Sequence, residues 1–433
     1  MKTRAITIAA AMAATAALLA GCSSGAAPGD DAGVGTAEKP VTIKFWHPSQ
    51  FTPQIVEAFE KSHPGIKVDY TVVPSNQPDI AAKLIAAVQA GDAPDVVKAE
   101  YQMLPYLVSQ GAVSDIQTFK IDDGDYRDSV RGLVNFGGKD YGAPEDFTPM
   151  MFFYRADLFD ELGLTVPTTW DEYEALAKKV KEIAPDKFLG NYNFDSNDLA
   201  GWSAQAGADW WKSDGETWSV GIDDPATVKA AEYRSKLIQA GLISTATGPG
   251  VNNLLADGTI LSWNAGAWAP GTIMNANPAL DGKWRAAPMP VWNAGDTETA
   301  VSGGSAIILV KNTKVRTAAE TFIKWFTDSE EGILTRWQYS NNLSGSSRMD
   351  DSKEILEMKP SPIDPTQEYL KLVASQKPKV FSNWGPNALL MQSTWKDLAP
   401  RAISGEISMQ DAITKLQKTV VDDMKRTGFE VKG

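Results

Sequence analysis

Residues 41–73 read VTIKFWHPSQFTPQIVEAFEKSHPGIKVDYTVV. From Val41 to Trp46, β-branched and aromatic side chains alternate with others, which predicts a strand. Residues 51–62 place Ile55, Val56 and Phe59 at helical spacing. His63-Pro64-Gly65 stops that helix, and IKVDYTVV at 66–73 returns to strand. Further on, Ile80, Leu84, Ala87 and Val88 share one face of a second helix over about 78–90, and Gly91 stands where a C-terminal cap belongs. Asp95-Val96-Val97 begins a third strand. Strands alternating with helices imply an α/β fold whose parallel sheet is covered on both faces.

The same reading continues outward. Thr169-Trp170-Asp171-Glu172 is a capping box for a helix that runs to about Ile183 and ends at Pro185. Asp328-Ser329-Glu330-Glu331 is expected to repeat the device ahead of a helix reaching Gln338. Ala319, Phe322, Ile323 and Phe326 line one face of the helix before it. A last helix covers Met409–Met424.

Toward the N-terminus, Lys2 and Arg4 precede an apolar run from Ala5 to Leu19, and no acidic residue appears before Asp30. This is a signal-peptide pattern over 1–21, too short for the ~20 residues of a membrane span. Leu19-Ala20-Gly21-Cys22 resembles a bacterial lipobox, and it holds the chain's single cysteine. The resemblance implies cleavage before Cys22 and a lipid on its sulfur. Residues 22–40 are small and polar and are expected to form a flexible tether, spanning roughly 20–25 Å as a coil. Loss of Lys2 and Arg4 leaves 39 basic against 54 acidic residues, net −15, which disfavours nucleic acid and anionic lipid surfaces. The only expected membrane contact is the lipid.

Several chemistries are excluded. Two histidines and one cysteine cannot make a Cys/His zinc site. Gly138-Lys139 lacks a phosphate-loop partner, because Leu133 stands where the first glycine belongs. No GxSxG elbow occurs. Asp122-Asp123-Gly124-Asp125 has no calcium-ligand Glu at the right distance and reads as a solvated turn. No cofactor is expected.

The opening stretch is followed, in order, by KLIAAVQAGDAPDVV (83–97), GKDYGAPED (138–146), FFYRADLFDELGLTVPTTWDEYEALAKKV (152–180), GGSAIILVKNTK (303–314) and AAETFIKWFTDSEEG (318–332). This series resembles extracellular solute-binding protein family 1, the sugar-binding receptors of ATP-binding cassette importers. The resemblance covers nearly all of 41–430 and is loosest over 185–300. It implies a two-lobe, periplasmic-binding-protein-like α/β fold with discontinuous lobes and a hinge. Lobe one would hold 41–145 and 302–342; lobe two would hold 146–301 and 343–433. Crossings are expected near Pro144-Glu145, Val301-Ser302-Gly303 and residue 343.

A sugar offers hydroxyl edges and weakly apolar faces, so its site needs aromatic platforms and polar partners, gathered at the C-terminal ends of strands. Trp46 and His47 end the first strand, and Glu100 and Tyr101 end the third. Of Glu145-Asp146 only one side chain of a strand pair would face the cleft, and the family pattern implies Asp146. GWSAQAGADWW (201–211) and LSWNAGAWAPG (261–271) supply Trp202, Trp211, Trp263 and Trp268 as candidate platforms, with Trp292, Asn383 and Trp384 in loops. Tryptophan also suits core packing, and at least one of Trp263 and Trp268 is expected there. Ser302-Gly303-Gly304 would let backbone approach a ligand or bend as a hinge.

The leading expectation is a monomeric, lipid-anchored receptor, not an enzyme, that passes an oligosaccharide to a membrane permease. Two alternatives stand beside it. One keeps the fold and binds a polyamine, phosphate ester or peptide. The other is a secreted glycoside hydrolase, which needs two carboxylates about 5–9 Å apart across the scissile bond.

Overall fold

The computed structural model describes residues 31–432 except 50–51, 75–76, 123, 193, 215–216, 341–342, 360–361 and 382. The expected signal peptide and Cys22 lie outside the described residues. In chain order, the elements that position the site are β1 (Val41–His47), α1 (Thr52–Ser62), β2 (Ile66–Val72), α2 (Gln77–Ala90), β3 (Val96–Glu100), β4 (Val113–Ser114), β5 (Ala143–Pro144), β6 (Met150–Arg155), α3 (Trp170–Ile183), α4 (Ser196–Ala206), α5 (Pro225–Gln239), β7 (Ser262–Gly266), β8 (Trp284–Pro288), β9 (Ser305–Val310), α6 (Arg316–Asp328), α7 (Glu330–Ser340), α8 (Ala388–Ile403) and α9 (Met409–Arg426).

The first sheet has the order β2-β1-β3-β9-β4, with β5 also paired to β9. β1 lies parallel to β2, from Val41 opposite Ile66 to His47 opposite Val72, and parallel to β3. Alternating burial along β1 sends Ile43 and Phe45 against α1 and α6, where Phe322 meets Phe45 edge-on at 5.0 Å and Phe59 at 4.9 Å. Val97 and Ala99 join the opposite core with Ile80 and Leu84 of α2. β9 is buried at every residue, as a central strand covered on both faces should be.

The sheet is mixed, not wholly parallel as the strand–helix alternation implies. β9 runs antiparallel to β3, β4 and β5. It enters at the end where β3 finishes, with Ser305 opposite Glu100, because the chain arrives there from the other lobe. The crossing point, not a βαβ connection, sets its direction.

The second sheet, β7-β6-β8, is antiparallel. Met150 and Phe152 of β6 pack toward Trp170, Tyr173 and Ala177 of α3, while Met151 and Phe153 face the other core. α8 and α9 close a further core around Trp210, Trp211 and Trp395. The capping box of α3 is present: Glu172 N–H donates to Thr169 Oγ1 at 3.2 Å and Thr169 N–H to Glu172 Oε2 at 3.3 Å. The cap of α7 differs from expectation. Ser329 Oγ takes the Gly332 N–H at 2.9 Å, while Asp328, the last residue of α6, accepts from Ser346 Oγ at 2.7 Å.

Three chain segments cross between the two α/β bodies side by side. Glu145 N–H donates to Ser305 O at 2.8 Å, Phe147 N–H to Leu343 O at 2.9 Å, Gly345 N–H to Glu145 O at 3.2 Å and Ser302 N–H to Thr148 O at 3.3 Å. Adjacent crossings of this kind allow rigid lobes to bend about a shared line. Among the described residues, no helix is long and apolar enough to cross a membrane.

Candidate functional site

The floor of the cleft is a buried polar knot where the crossings meet. His47 ends β1 and is buried, with Glu145 beside it. Ser49 N–H donates to His47 Nδ1 at 3.1 Å, so Nδ1 is the acceptor and Nε2–H donates to Glu145 Oε1 at 3.2 Å. Burial lowers the His47 pKa, so the ring is neutral at pH 7. Arg336 of α7 donates to Glu145 O at 3.1 Å, and its guanidinium stands over the Phe326 ring. Ser305 Oγ donates to Glu145 Oε2 at 3.0 Å and lies 3.1 Å from Asp146 Oδ2, while Ser305 N–H donates to Asp146 Oδ1 at 2.6 Å.

Electrostatics separate the two carboxylates. Burial opposes charge on Glu145, but the Lys98 and Arg336 cations and the hydrogen bond from His47 outweigh it and hold its carboxyl well below the usual range. Burial pushes Asp146 up, Glu145's charge adds to that, and Lys98 opposes it. For Lys98 burial works against the ammonium, yet Glu145, Asp146 and Glu100 raise its pKa. Among the described residues no group of three or more His, Cys, Asp or Glu could hold a metal ion.

Above the floor, β3 delivers Glu100 and Tyr101. Tyr101 OH donates to Asp146 O at 2.9 Å. Gly304, at φ +106°, lies against this ring: a Cβ there would stand 2.7 Å from Tyr101 Cε2. Glu100 accepts from Gln77 Nε2 and from Gln102 Nε2, the latter at 2.8 Å. Burial raises its carboxyl to about 7, against the pull of Lys98 and Gln102. Gln102 Nε2 also donates to Asn197 Oδ1 at 3.0 Å, joining the first lobe to the N-terminus of α4 in the second. Ser302 Oγ donates to Asp198 Oδ1 at 2.9 Å, and Arg234 stands 3.7 Å from the same carboxylate. Between Leu133 on one side and Gly201, Phe381 and Trp384 on the other lies a cavity of about 30 Å³.

The candidate tryptophans divide. Trp384 lines the cavity, packed edge-on to Phe381 at 5.6 Å. Trp46 is half-buried at the end of β1, and Lys83 Nζ sits 4.4 Å from its ring. Trp263 and Trp268 are half-buried and edge-on at 5.3 Å, with Trp268 Nε1 donating to Ser302 O at 3.2 Å. The expected platforms Trp202 and Trp211 lie in cores instead. Gly201 of α4 presses on the hinge, where a Cβ would come within 2.1 Å of Val301 O. Trp202 stacks on Trp170 at 4.0 Å, and the Arg234 guanidinium lies over the Trp202 ring, 4.2 Å from its centroid. Trp211 is fully buried behind Trp384, at 5.7 Å, and its Nε1 lies where a Gly385 Cβ would stand. Trp292 packs on Trp170 and Tyr233, away from the cavity residues. Asn383 donates to Ser213 Oγ at 3.3 Å.

Sequence reasoning missed Lys98, Gln77, Gln102, Asn197 and Arg336. Lys98 is a charge inside a strand otherwise made of Val, Ala and Glu, and that breach of pattern was a usable signal. Asp195, whose carboxylate accepts the Asn197 N–H at 2.7 Å as N-cap of α4, marks another. Arg336 carried none, since its helix contains other polar residues.

Two α/β bodies on a three-segment hinge, with polar and aromatic walls facing each other, define a binding protein that closes on its ligand. The chain belongs to the bacterial extracellular solute-binding protein family, whose profile matches residues 47–333. It is similar to the ATP-binding-cassette-associated binding protein of Bifidobacterium animalis subsp. lactis Bl-04, solved with β-1,6-galactobiose. That likeness has a TM-score of 0.81 and 26% identity, and it covers 91% of this chain and 100% of the other. The galacto-N-biose/lacto-N-biose I-binding protein of Bifidobacterium longum gives 0.79 and 25%, over 91% and 99%. Among curated relatives, the maltooligosaccharide transporter solute-binding lipoprotein of Streptococcus pneumoniae R6 is 23% identical over 93% of this chain and 94% of its own.

Proposed function

We propose that this chain is an extracellular carbohydrate receptor. It captures an oligosaccharide between two lobes and delivers it unaltered to an ATP-binding cassette permease. The observation that carries this reading is the full-length likeness to a binding protein solved with a disaccharide, together with the polar–aromatic cleft. The lobe limits 41–145 with 302–342, and 146–301 with 343–433, are taken as the bodies that close. Trp384, Trp46 and the Trp263–Trp268 pair are the proposed stacking surfaces, and Gln77, Glu100, Gln102 and Asn197 the proposed hydroxyl partners. Cys22 would carry the lipid that holds the monomer at the outer face of the membrane.

The charge arrangement favours a neutral guest over a polyamine. Asp146 is held by Ser305, Asp198 by Ser302 and Arg234, Asp195 caps α4, and Glu100 accepts two amides. These bonds take up much of the acceptor capacity that an ammonium chain would need. The cavity of about 30 Å³ has room for only about two waters, so an oligosaccharide enters only when the walls part.

The test is titration calorimetry with β-1,6-galactobiose, lacto-N-biose, maltooligosaccharides, arabinooligosaccharides and spermidine. One of the sugars should bind, and Trp384→Ala should weaken that binding at least tenfold. Binding of spermidine alone would replace the sugar reading. New reducing ends after prolonged incubation with oligosaccharide would assign a hydrolase instead.

A further inference from the structure

The composition of residues 23–40 is that of a free leash, yet its second half is seated. α6 begins at Arg316, and its own N-cap residue, Val315, offers no side-chain cap. Asp31 supplies one from 286 positions away: its carboxylate accepts the Thr317 N–H at 3.1 and 3.3 Å and also the Thr317 hydroxyl. Thr317 is the second residue of the helix, the position an N-cap side chain ordinarily satisfies. Ala32 N–H donates to Lys314 O at 3.3 Å. The chain then turns through Thr36–Lys39, and Gly35 bridges to Pro40.

The seat is a glycine-on-glycine contact. A Cβ on Gly35 would stand 2.7 Å from Gly65 O, and a Cβ on Gly65 would stand 2.7 Å from Val34 O and 2.9 Å from Gly35 O. Gly65 is the residue that ends the α1 turn, and its carbonyl also accepts the Val41 N–H at 2.9 Å. Two independent contacts, one polar at α6 and one steric at Gly65, therefore hold the same ten residues against the first sheet's lobe.

We propose that residues 31–40 are a docked strap that fastens the N-terminal leash to the lobe of β1 and α6, with Asp31 as its clasp. Resting on the lipid anchor proposed above, this takes residues 31–40 out of the tether that composition assigns to 22–40, so the lobe is held closer to the lipid than a coil of roughly 20–25 Å would hold it. The strapped lobe then faces the membrane as the fixed jaw, and the lobe of β6 is the one that swings.

The experiment is hydrogen exchange on the mature chain, lipidated in nanodiscs and, separately, as the unlipidated Cys22→Ser chain. The Ala32 and Thr317 amides should be protected in both. Asp31→Ala should speed exchange at Thr317 about five- to tenfold, the loss of one cap, and Asp31→Asn, which keeps an acceptor oxygen, should restore most of it. Gly65→Ala should release the strap with Asp31 intact and move Thr317 equally. Unprotected exchange over 32–40 in the wild type, or no response of Thr317 to either substitution, overturns the strap. In nanodiscs, energy transfer from a dye on the α6 lobe to a headgroup dye should fall with Gly65→Ala; unchanged transfer overturns the short leash while protection at Thr317 still supports the clasp. Failure of the chain to stay on membranes refutes the anchor and leaves the exchange results standing.

Discussion

Glu145 touches all three crossings: Ser305 and Gly345 through its backbone, His47 and Ser305 through its carboxylate, and Arg336 through its carbonyl. Removing one partner of a buried charge cluster leaves the others uncompensated, so Glu145→Ala should cost about 3–5 kcal/mol, read as a lower urea midpoint. Glu100 gives a pH signature. Its folded pKa of about 7 exceeds the ordinary carboxylate value of 4.5, so between those values the folded chain binds more protons than the unfolded one. Stability from this group is present at low pH and lost as pH rises from about 4.5 to 7. Glu100→Gln should therefore gain on the wild type across that window, seen in urea denaturation at stepped pH; a constant difference would contradict the assignment. At this scale the sequence announced residue types but not their neighbours. Trp202 and Trp384 are both indoles beside small residues, and neighbours set the difference: the first stacks on Trp170 in a core and the second lines the cavity.

Periodicity did well where an element answers to its own residues. α1, α2 and α3 lie within a residue or two of the positions read from apolar spacing and caps. Thr169→Ala should remove the α3 cap at a cost of about 1 kcal/mol, checked by thermal unfolding. Elements that answer to distant chain were less legible. β9 is unmistakably a buried strand, but nothing within SAIILV says that it runs against β3. The cap of α6 comes from Asp31, a residue that composition assigns to a linker. Gly304 belongs to this class too. Its φ of +106° and the 2.7 Å approach to Tyr101 make Gly304→Ala costly, about 1–3 kcal/mol, and calorimetric unfolding would register it.

For the molecule as a whole, two rigid lobes and a hinge predict that a bound oligosaccharide shifts the population toward the closed form. Small-angle scattering should show a smaller radius of gyration with the cognate sugar, and Trp384→Ala should need more sugar to reach it. An unchanged radius at saturation would argue against closure. The two-lobe plan was legible because ordered segments repeat a family pattern; the ligand-facing surface was not, because it is assembled from residues as distant as Gln77, Asn197 and Trp384. The insertion of β9 between β3 and β4 carries a consequence for biosynthesis. Until residue 305 leaves the ribosome, the nascent N-terminal half has an unfilled slot at its centre and an unpaired strand edge beside Val97. Such long-range pairing folds slowly and invites aggregation, and the first sheet cannot close until the chain has been made as far as Val310.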